Sequence, residues 1–431
     1  MSSRFDSLQF EVMHRSAVGH ARTGVVTTPH GSFRTPAFMP VGTRGTVKGI
    51  LPELVAQTGA EILLNNTYHL LLRPGDELVR EMGGAHKFMG WDRPILTDSG
   101  GYQAYSMADR NAVDEDGVTF SSVVDGARIR LTPERAIEVQ NNLGADIIMA
   151  LDDCPPSVDP ATSNQTRIRI AADRDARKGN YNHDARLDES LDRTARWLER
   201  CARAHGRPGD QALFGIVQGG TDLDRRDRSL GQVCGVDLPG YAIGGVAVGE
   251  GPEQIASVVR HTAPKLPEDR PRYLMGVGYE RDIVAAVLAG VDMFDCVLPT
   301  RNGRSSNAFT RSGQIRLKNS KFKLDPGPIE AGCDCAACDP ARHGMKTPEG
   351  GPFSRAYLRH LFLVDEMLGP ILVSLHNLRH FQRLMEGIRE AIVSGDWSAL
   401  ADEWPVLHGT VPRGVVRGLE GGLVGGLVGA D

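Results

Sequence analysis

Eight short apolar runs, each closing on polar residues or glycine, most narrow the folds open to this chain of 431 residues. They run from Ala37 to Val41, Ile62 to Leu64, Ile95 to Thr97, Asp146 to Leu151, Leu213 to Val217, Tyr241 to Val246, Tyr273 to Val277 and Met293 to Val297. Runs of this length suit buried strands, and several of the segments between them carry helix-end signals. Thr132 stands as an N-cap before Pro133 and Glu134 with Gly144 past the far end, and the segment from Arg281 to Ala289 stops at Gly290. Strands that alternate with helices and end in chemically useful residues predict an α/β fold, a (β/α)8 barrel, with a doubly wound sheet as the competing arrangement.

Three stretches read as additions to that barrel. Residues 158–192 are charged and weakly apolar, which predicts a surface insertion with partial helix. Residues 339–352 form a polar loop inside a cysteine-rich module, and residues 418–429 end the chain in glycine-rich repeats that predict a flexible tail. The expected layout is a catalytic barrel over 1–324, a small zinc-binding subdomain with a closing helix over 325–395, and a C-terminal segment over 396–431. No run reaches the length of a membrane span, and MSSRFDSLQF lacks a signal-peptide pattern, so a cytoplasmic location is expected.

Chemistry concentrates at the ends of the runs. In Met293-Phe294-Asp295-Cys296-Val297-Leu298-Pro299-Thr300-Arg301-Asn302-Gly303-Arg304 a strand is expected to give onto a loop, with a carboxylate, Asp295, just ahead of two guanidinium groups. Arg301 and Arg304 suit phosphate. From Arg301 to Leu324 there are seven Lys or Arg and no acid, although the chain carries a net charge of −5, and such a local tract points to a nucleic acid. Asp98, in Thr97-Asp98-Ser99-Gly100-Gly101, ends another run. Two carboxylates converging on one sugar carbon can break a glycosidic bond, one attacking and one managing the proton, although a capping role in a turn explains a single Asp equally well. Asp152 and Gln218 end two further runs, and an acid with an amide suits the edge of a purine.

Cys333, Cys335 and Cys338 lie within six residues of one another, a spacing that lets three thiolates converge on a metal. A histidine must complete a tetrahedral site. His376 lies in a helix-like segment and is favoured, with His343 and His360 as competitors. A closed four-ligand shell would brace the fold without taking part in a reaction.

The motifs PAFMPVGT, NTYHLLLRPG, FMGWDRPILTDSGGYQ, TPERAIEVQ, LGADIIMALDDC, GIVQGG, GGVAVGE, LMGVG, MFDCVLPTRNGR, CDCAAC and LHNLR, in this order from about Phe10 to Ile392, resemble the bacterial tRNA-guanine transglycosylases (queuine tRNA-ribosyltransferase family). The resemblance implies a (β/α)8 barrel with a zinc subdomain. It implies an enzyme that exchanges guanine at the wobble position of GUN-anticodon tRNAs (Asp, Asn, His, Tyr) for preQ1 by double displacement, in queuosine biosynthesis. Carried over, it makes Asp295 the nucleophile and Asp98 the general acid and base. It places the base edge against Asp152, Gln218, Gly245, Val246 and Ala247, and the base faces between Tyr102 and Met275, with Ser99, Asn66 and Gln103 in support. Cys333, Cys335, Cys338 and His376 become the ligands of a structural Zn2+, and the partners become tRNA, guanine and preQ1. Cys154 and Val248 look like the bacterial pattern and favour preQ1 over queuine.

Several positions depart from that pattern: Val246 for leucine, Tyr279-Glu280-Arg281 for Thr-Pro-Glu, Arg304-Ser305-Ser306-Asn307, and the longer loop 339–352. The resemblance also implies a homodimer that uses Phe353, Tyr357 and His360, against which stands simple i, i+4 packing of the two rings inside the subdomain. A non-catalytic RNA-binding subunit is the alternative from another class, and retention of both Asp98 and Asp295 argues against it. The archaeal relative would need extra C-terminal RNA-binding domains, and a metal-dependent barrel hydrolase would need histidines at its strand ends.

Overall fold

A computed structural model describes residues 5–107, 111–159, 182–247 and 250–411. Parallel strands Ala37–Met39, Val41–Gly42, Leu63–Asn65, Ile95–Thr97, Ile147–Met149, Ala212–Val217, Gly240–Ile243, Arg272–Leu274 and Met293–Asp295 form one sheet. Its two ends belong to one stretch of chain. Ala37–Met39 pairs with Met293–Asp295, whereas Val41–Gly42 pairs with Leu63–Asn65. The break falls at Pro40, which has no N–H to give a ladder, although its carbonyl still accepts from Leu64 N at 3.0 Å. The run expected from Ala37 to Val41 therefore serves as one barrel strand in two pieces, and the sheet closes as the eight-stranded barrel read from the sequence.

All eight runs hold barrel strands, mostly shorter than the apolar stretch that signals them. The barrel interior is filled by alternate strand residues, among them Met39, Leu64, Leu96, Met149, Phe214, Ile216, Tyr273 and Met293. A three-stranded antiparallel sheet, Gln9–Arg15, Arg22–Thr28 and Gly31–Thr35, adds Leu8, Val26 and Phe33 to that cluster at the N-terminal end of the strands. This sheet, the three-stranded insertion Asn111–Asp114, Gly117–Ser121 and Arg128–Leu131, and the hairpin Asn307–Thr310 with Gly313–Arg316 were not among the runs read from sequence.

Helix ends follow the expected chemistry. Thr132 Oγ1 accepts from Arg135 N at 3.1 Å and Gly144 is left-handed, so Pro133–Leu143 begins and ends where the sequence marks it. The helix expected from Arg281 to Ala289 runs Glu280–Leu288. Two expectations need correction. Residues 183–192 open the 22-residue helix His183–Ala204, which buries Leu187, Leu191, Trp197 and Leu198 and so belongs to the barrel's helical layer; 160–181 lie outside the described residues. Arg301 and Arg304 sit on the helix Leu298–Arg304, because Pro299 fits its first turn and Thr300 turns inward. Of the glycine-rich end, 412–431 lie outside the described residues.

The helix Leu368–Ser394, 27 residues long, joins the cysteine-rich module to the barrel. Phe381 stacks on Phe38 at 4.8 Å, and Gln382 Nε2 donates to the Phe38 carbonyl at 3.0 Å. Gly303 lets this helix approach: a Cβ there would meet Ser374 N at 2.8 Å. Among the described residues no helix is long and apolar enough to cross a membrane.

At the barrel's N-terminal end Arg22 donates to both oxygens of Asp292 at 2.9 and 2.7 Å and to the carbonyls of Glu268 and Arg270. Both side chains are almost completely buried. Arg22→Met strands a buried carboxylate and is expected to cost about 3–5 kcal/mol. A urea midpoint equal to wild type in equilibrium unfolding would refute this.

Candidate active site and metal centre

The opposite rim of the barrel gathers three carboxylates, Asp98, Asp152 and Asp295, from the ends of separate strands. Asp98 follows Ile95–Thr97 and is buried. Thr67 N donates to its Oδ1 at 2.7 Å, and Gln103 Nε2 and Asn66 Nδ2 donate to its Oδ2. Burial pushes its carboxyl up to about 6 despite these donors, and the nearby Asp295 pushes the same way. Asp295 ends its strand with Oδ1 fixed by Tyr273 Oη at 2.6 Å and Gly276 N at 2.8 Å. Its Oδ2 has no hydrogen bond among the described residues. Burial raises this carboxyl as well, opposed by the Tyr273 and Gly276 donors.

Asp152 lies beyond Ile147–Met149, where Ser99 Oγ donates to Oδ1 at 3.2 Å and Gln218 Nε2 to Oδ2 at 2.5 Å. Burial lifts it to about 6. Ser99, read as support for Asp98, thus reaches the other acid, whereas Asn66 and Gln103 do hold Asp98. Asp152 and Gln218 bond one another here, so a base that engages both must replace or share that bond.

Gly245 has φ +62, and a Cβ there would meet Gln218 Oε1 at 2.1 Å, so glycine lets the backbone lie against the amide. Ala247 is also left-handed at φ 65, Val246 is buried, and Met275 Sδ lies within 4 Å of where a Gly244 Cβ would be. Tyr102 is 41% exposed on the helix Gly101–Met107. Cys154 is buried near Asp152, and Val248 lies outside the described residues. Arg301 and Arg304 are exposed on the same rim.

The sequence reading missed Arg226. It stands in Arg225-Arg226-Asp227-Arg228, which looks like a solvated helix face, yet Arg226 is fully buried. Nε and Nη2 donate to Gly220 O at 2.9 and 2.8 Å. Nη1 donates to Val217 O and Gly244 O at 2.9 and 2.8 Å, and Nη2 reaches Gly245 O at 3.2 Å. One guanidinium therefore ties together the two glycine turns that flank Gln218. Burial lowers it to about 10, which leaves it charged at neutral pH. Nothing in a single sequence separates this arginine from its exposed neighbours. Asp153, one residue beyond Asp152, is also a structural anchor, bonded by Arg186 at 2.8 and 2.6 Å and by Arg193 at 2.6 Å.

The sulfurs of Cys333, Cys335 and Cys338 lie 3.5, 3.4 and 3.5 Å from His376 Nδ1. His376 Nε2 donates to Phe309 O at 2.7 Å, which turns the Nδ1 lone pair toward the thiols. Metal–sulfur and metal–nitrogen bonds of about 2.3 and 2.0 Å at a tetrahedral angle require a separation of ~3.5 Å, so the four residues fit a divalent cation in a closed shell. Of the competing histidines, His343 lies 2.8 Å from Asp334 O, and His360 stacks with Tyr357. A second group, His30, His86 and Asp146, lies at the other end of the barrel, but its imidazoles stack at 3.6 Å and both contact the carboxylate. Stacked rings hold their lone pairs in near-parallel planes, with ring centres 3.6 Å apart, a poor arrangement for one ion.

The family model described as queuine tRNA-ribosyltransferase matches residues 17–178 and 168–409. Similar curated proteins carry the same name. One from Thermus thermophilus is 50% identical over 399 residues, 93% of this chain and 94% of the relative. One from Herpetosiphon aurantiacus is 47% identical over 397 residues, 92% of each chain, and one from Cereibacter sphaeroides is 49% identical over 380 residues, 88% and 91%.

Two measurements follow. Native mass spectrometry is expected to find one divalent cation per chain, with His376→Ala lowering the occupancy; a metal-free native chain contradicts the four-ligand reading. Asp152, with its carboxyl raised in the fold, favours folding below its unfolded value near 3.8, and that support is lost as pH rises through about 6. Asp152→Asn is therefore expected to raise the thermal midpoint at pH 7 by an equivalent of up to about 3 kcal/mol and to change little at pH 3. Equal shifts at both pH values would exclude this account.

Proposed function

This chain belongs to the queuine tRNA-ribosyltransferase family and is a pentosyltransferase; from that premise we propose that it exchanges guanine at wobble position 34 of GUN-anticodon tRNAs for preQ1. The observation that carries this reading is the pair of acids at the rim: Asp295, with one oxygen held and the other open, beside the buried Asp98. Asp295 Oδ2 attacks C1′ as the bond from C1′ to guanine breaks, leaving a ribosyl ester. Asp98 hands a proton to the departing base and takes one from the incoming base, whose ring nitrogen then displaces the carboxylate. Two inversions retain the β configuration. One N-glycosidic bond replaces another, so the exchange needs no nucleotide triphosphate.

Asp152 and Gln218 read the edge of the base, with the peptides of Gly245, Val246 and Ala247 alongside, and Tyr102 and Met275 cover its faces. A base that failed to satisfy this buried acid and amide would lose several kcal/mol, which makes the pair a filter for purine-like donors and acceptors. The resemblance of Cys154 and Val248 to the bacterial pattern supports preQ1 as the incoming base. Arg301 and Arg304 grip phosphates flanking a base that has left the anticodon stack.

Zn2+ best suits three thiolates and one imidazole, and it would brace the module over 325–395 against the barrel over 1–324 without entering the reaction. We read the protein as cytoplasmic and homodimeric. Phe353, Tyr357 and His360 stack in series at 6.2 and 6.4 Å, and Tyr357 is 41% exposed, which suits a second copy.

Purified protein mixed with a GUN-anticodon tRNA and labelled guanine should incorporate label, and Asp295→Ala should not. A denaturing gel should trap wild-type protein joined to RNA; turnover without any such adduct would rule out the ester. Activity should climb with pH as the attacking carboxylate of Asp295 ionises and fall as Asp98, which must begin protonated, loses its proton. Asn66→Ala removes a donor that favours ionised Asp98, so the fall should move to higher pH, and an unmoved falling limb would argue against Asp98 as the proton carrier.

A further inference from the structure

Most arginines of the described chain are engaged by carboxylates or carbonyls, but four on the catalytic rim are not. The guanidinium groups of Arg44, Arg73, Arg301 and Arg304 have no hydrogen bond or ion pair among the described residues. Arg44 and Arg73 are exposed and line one cavity of about 290 Å3 with His69, Leu72, Val123 and Val124. Each wall comes from a loop or helix at the C-terminal end of the barrel. Arg44 follows the strand Val41–Gly42, and His69 and Leu72 lie on the helix Thr67–Leu72, with Arg73 at its end. Val123 and Val124, 52% and 37% exposed, lie between the strands Gly117–Ser121 and Arg128–Leu131.

The charge of this cavity is positive and unbalanced. Burial, followed by the charge of Arg44, lowers His69, so the imidazole lends a neutral wall at neutral pH. Asp125 feels Arg73 at a distance, but no carboxylate comes within 4 Å of either guanidinium among the described residues. The position is also informative. Asn66, which precedes the helix carrying His69, donates to Asp98. The strands leading to Arg301 and Arg304, to Arg44 and to Arg73 follow one another around the barrel. All four free guanidinium groups therefore occupy one arc of the rim that holds Asp295.

We propose that Arg44 and Arg73 form a second grip on the sugar-phosphate backbone of the RNA, next to the grip of Arg301 and Arg304, with Val123 and Val124 as apolar contacts for an adjoining ribose or base. This rests on the reading of the protein as a tRNA-modifying enzyme. RNA would be held at two points of its backbone while one nucleotide enters the barrel between the acids.

The test is the salt dependence of binding, followed by anisotropy of fluorescent tRNA between about 50 and about 200 mM salt, for wild type, Arg44→Ala/Arg73→Ala and Arg44→Lys/Arg73→Lys. Loss of two phosphate contacts on a single strand should flatten the slope of log K against log salt by about 1.4. The double lysine variant should keep most of the wild-type slope, and preQ1 binding by calorimetry should be the same in all three. A double alanine variant with the wild-type slope overturns this grip alone, whereas a wild type that binds no tRNA overturns the underlying reading and the grip with it. If the double alanine variant fails to fold, Arg44→Ala alone, at an exposed loop position, reads the same change at about half the size.

Discussion

The burial of carboxylates without counter-ions is the constraint on which the site depends. Asp98, Asp152 and Asp295 are all raised above the ordinary carboxylate range, first by burial, and each is held by neutral donors: amides, hydroxyls or backbone N–H groups. Asp153 sits one residue from Asp152 yet carries two arginines. An arginine beside Asp98 or Asp295 would hold the acid at low energy and leave it a poor nucleophile or proton carrier. Neutral donors orient the oxygens while leaving them basic, and the cationic groups of the rim stay exposed, where phosphate can reach them.

That arrangement needs rigid walls, and Arg226 supplies part of them. Its guanidinium bonds four carbonyls from two glycine turns, so a charge normally drawn to an acid is satisfied by backbone dipoles. The turns it fixes lie against Gln218, whose amide bonds Asp152. A buried arginine saturated by carbonyls does not neutralise the carboxylate across the pocket, and its rigidity reduces what a bound base must reorganise.

Much of this was legible in the sequence, for identifiable reasons. Barrel strands are buried on both faces, so they stand out as apolar runs, and helix ends such as Thr132 and Gly144 announce themselves through caps. Local motifs also placed Asp98, Asp152, Gln218 and Asp295 at strand ends, because a strand's last residue is fixed by the run before it. What stayed hidden depends on contacts between distant segments. The antiparallel sheet from Gln9 to Thr35 gives no continuous apolar run because one side faces solvent and carries polar residues, and the helical setting of Arg301 and Arg304 is imposed by packing on Leu368–Ser394. Ser99 bonding Asp152, and Arg226 reaching carbonyls 18 and 19 residues along the chain, leave no local signature.

The helix Leu368–Ser394 carries His376 near its start and stacks Phe381 on Phe38 about one and a half turns later. Phe38 belongs to the strand that seals the barrel against Met293–Asp295. The cysteine-rich module is consequently no detachable cassette: one continuous rod anchors it and clamps the seam beside Asp295. Evolution or engineering could trim its outer loops freely, but deleting it whole would unlatch the cylinder at the strand that bears the attacking acid.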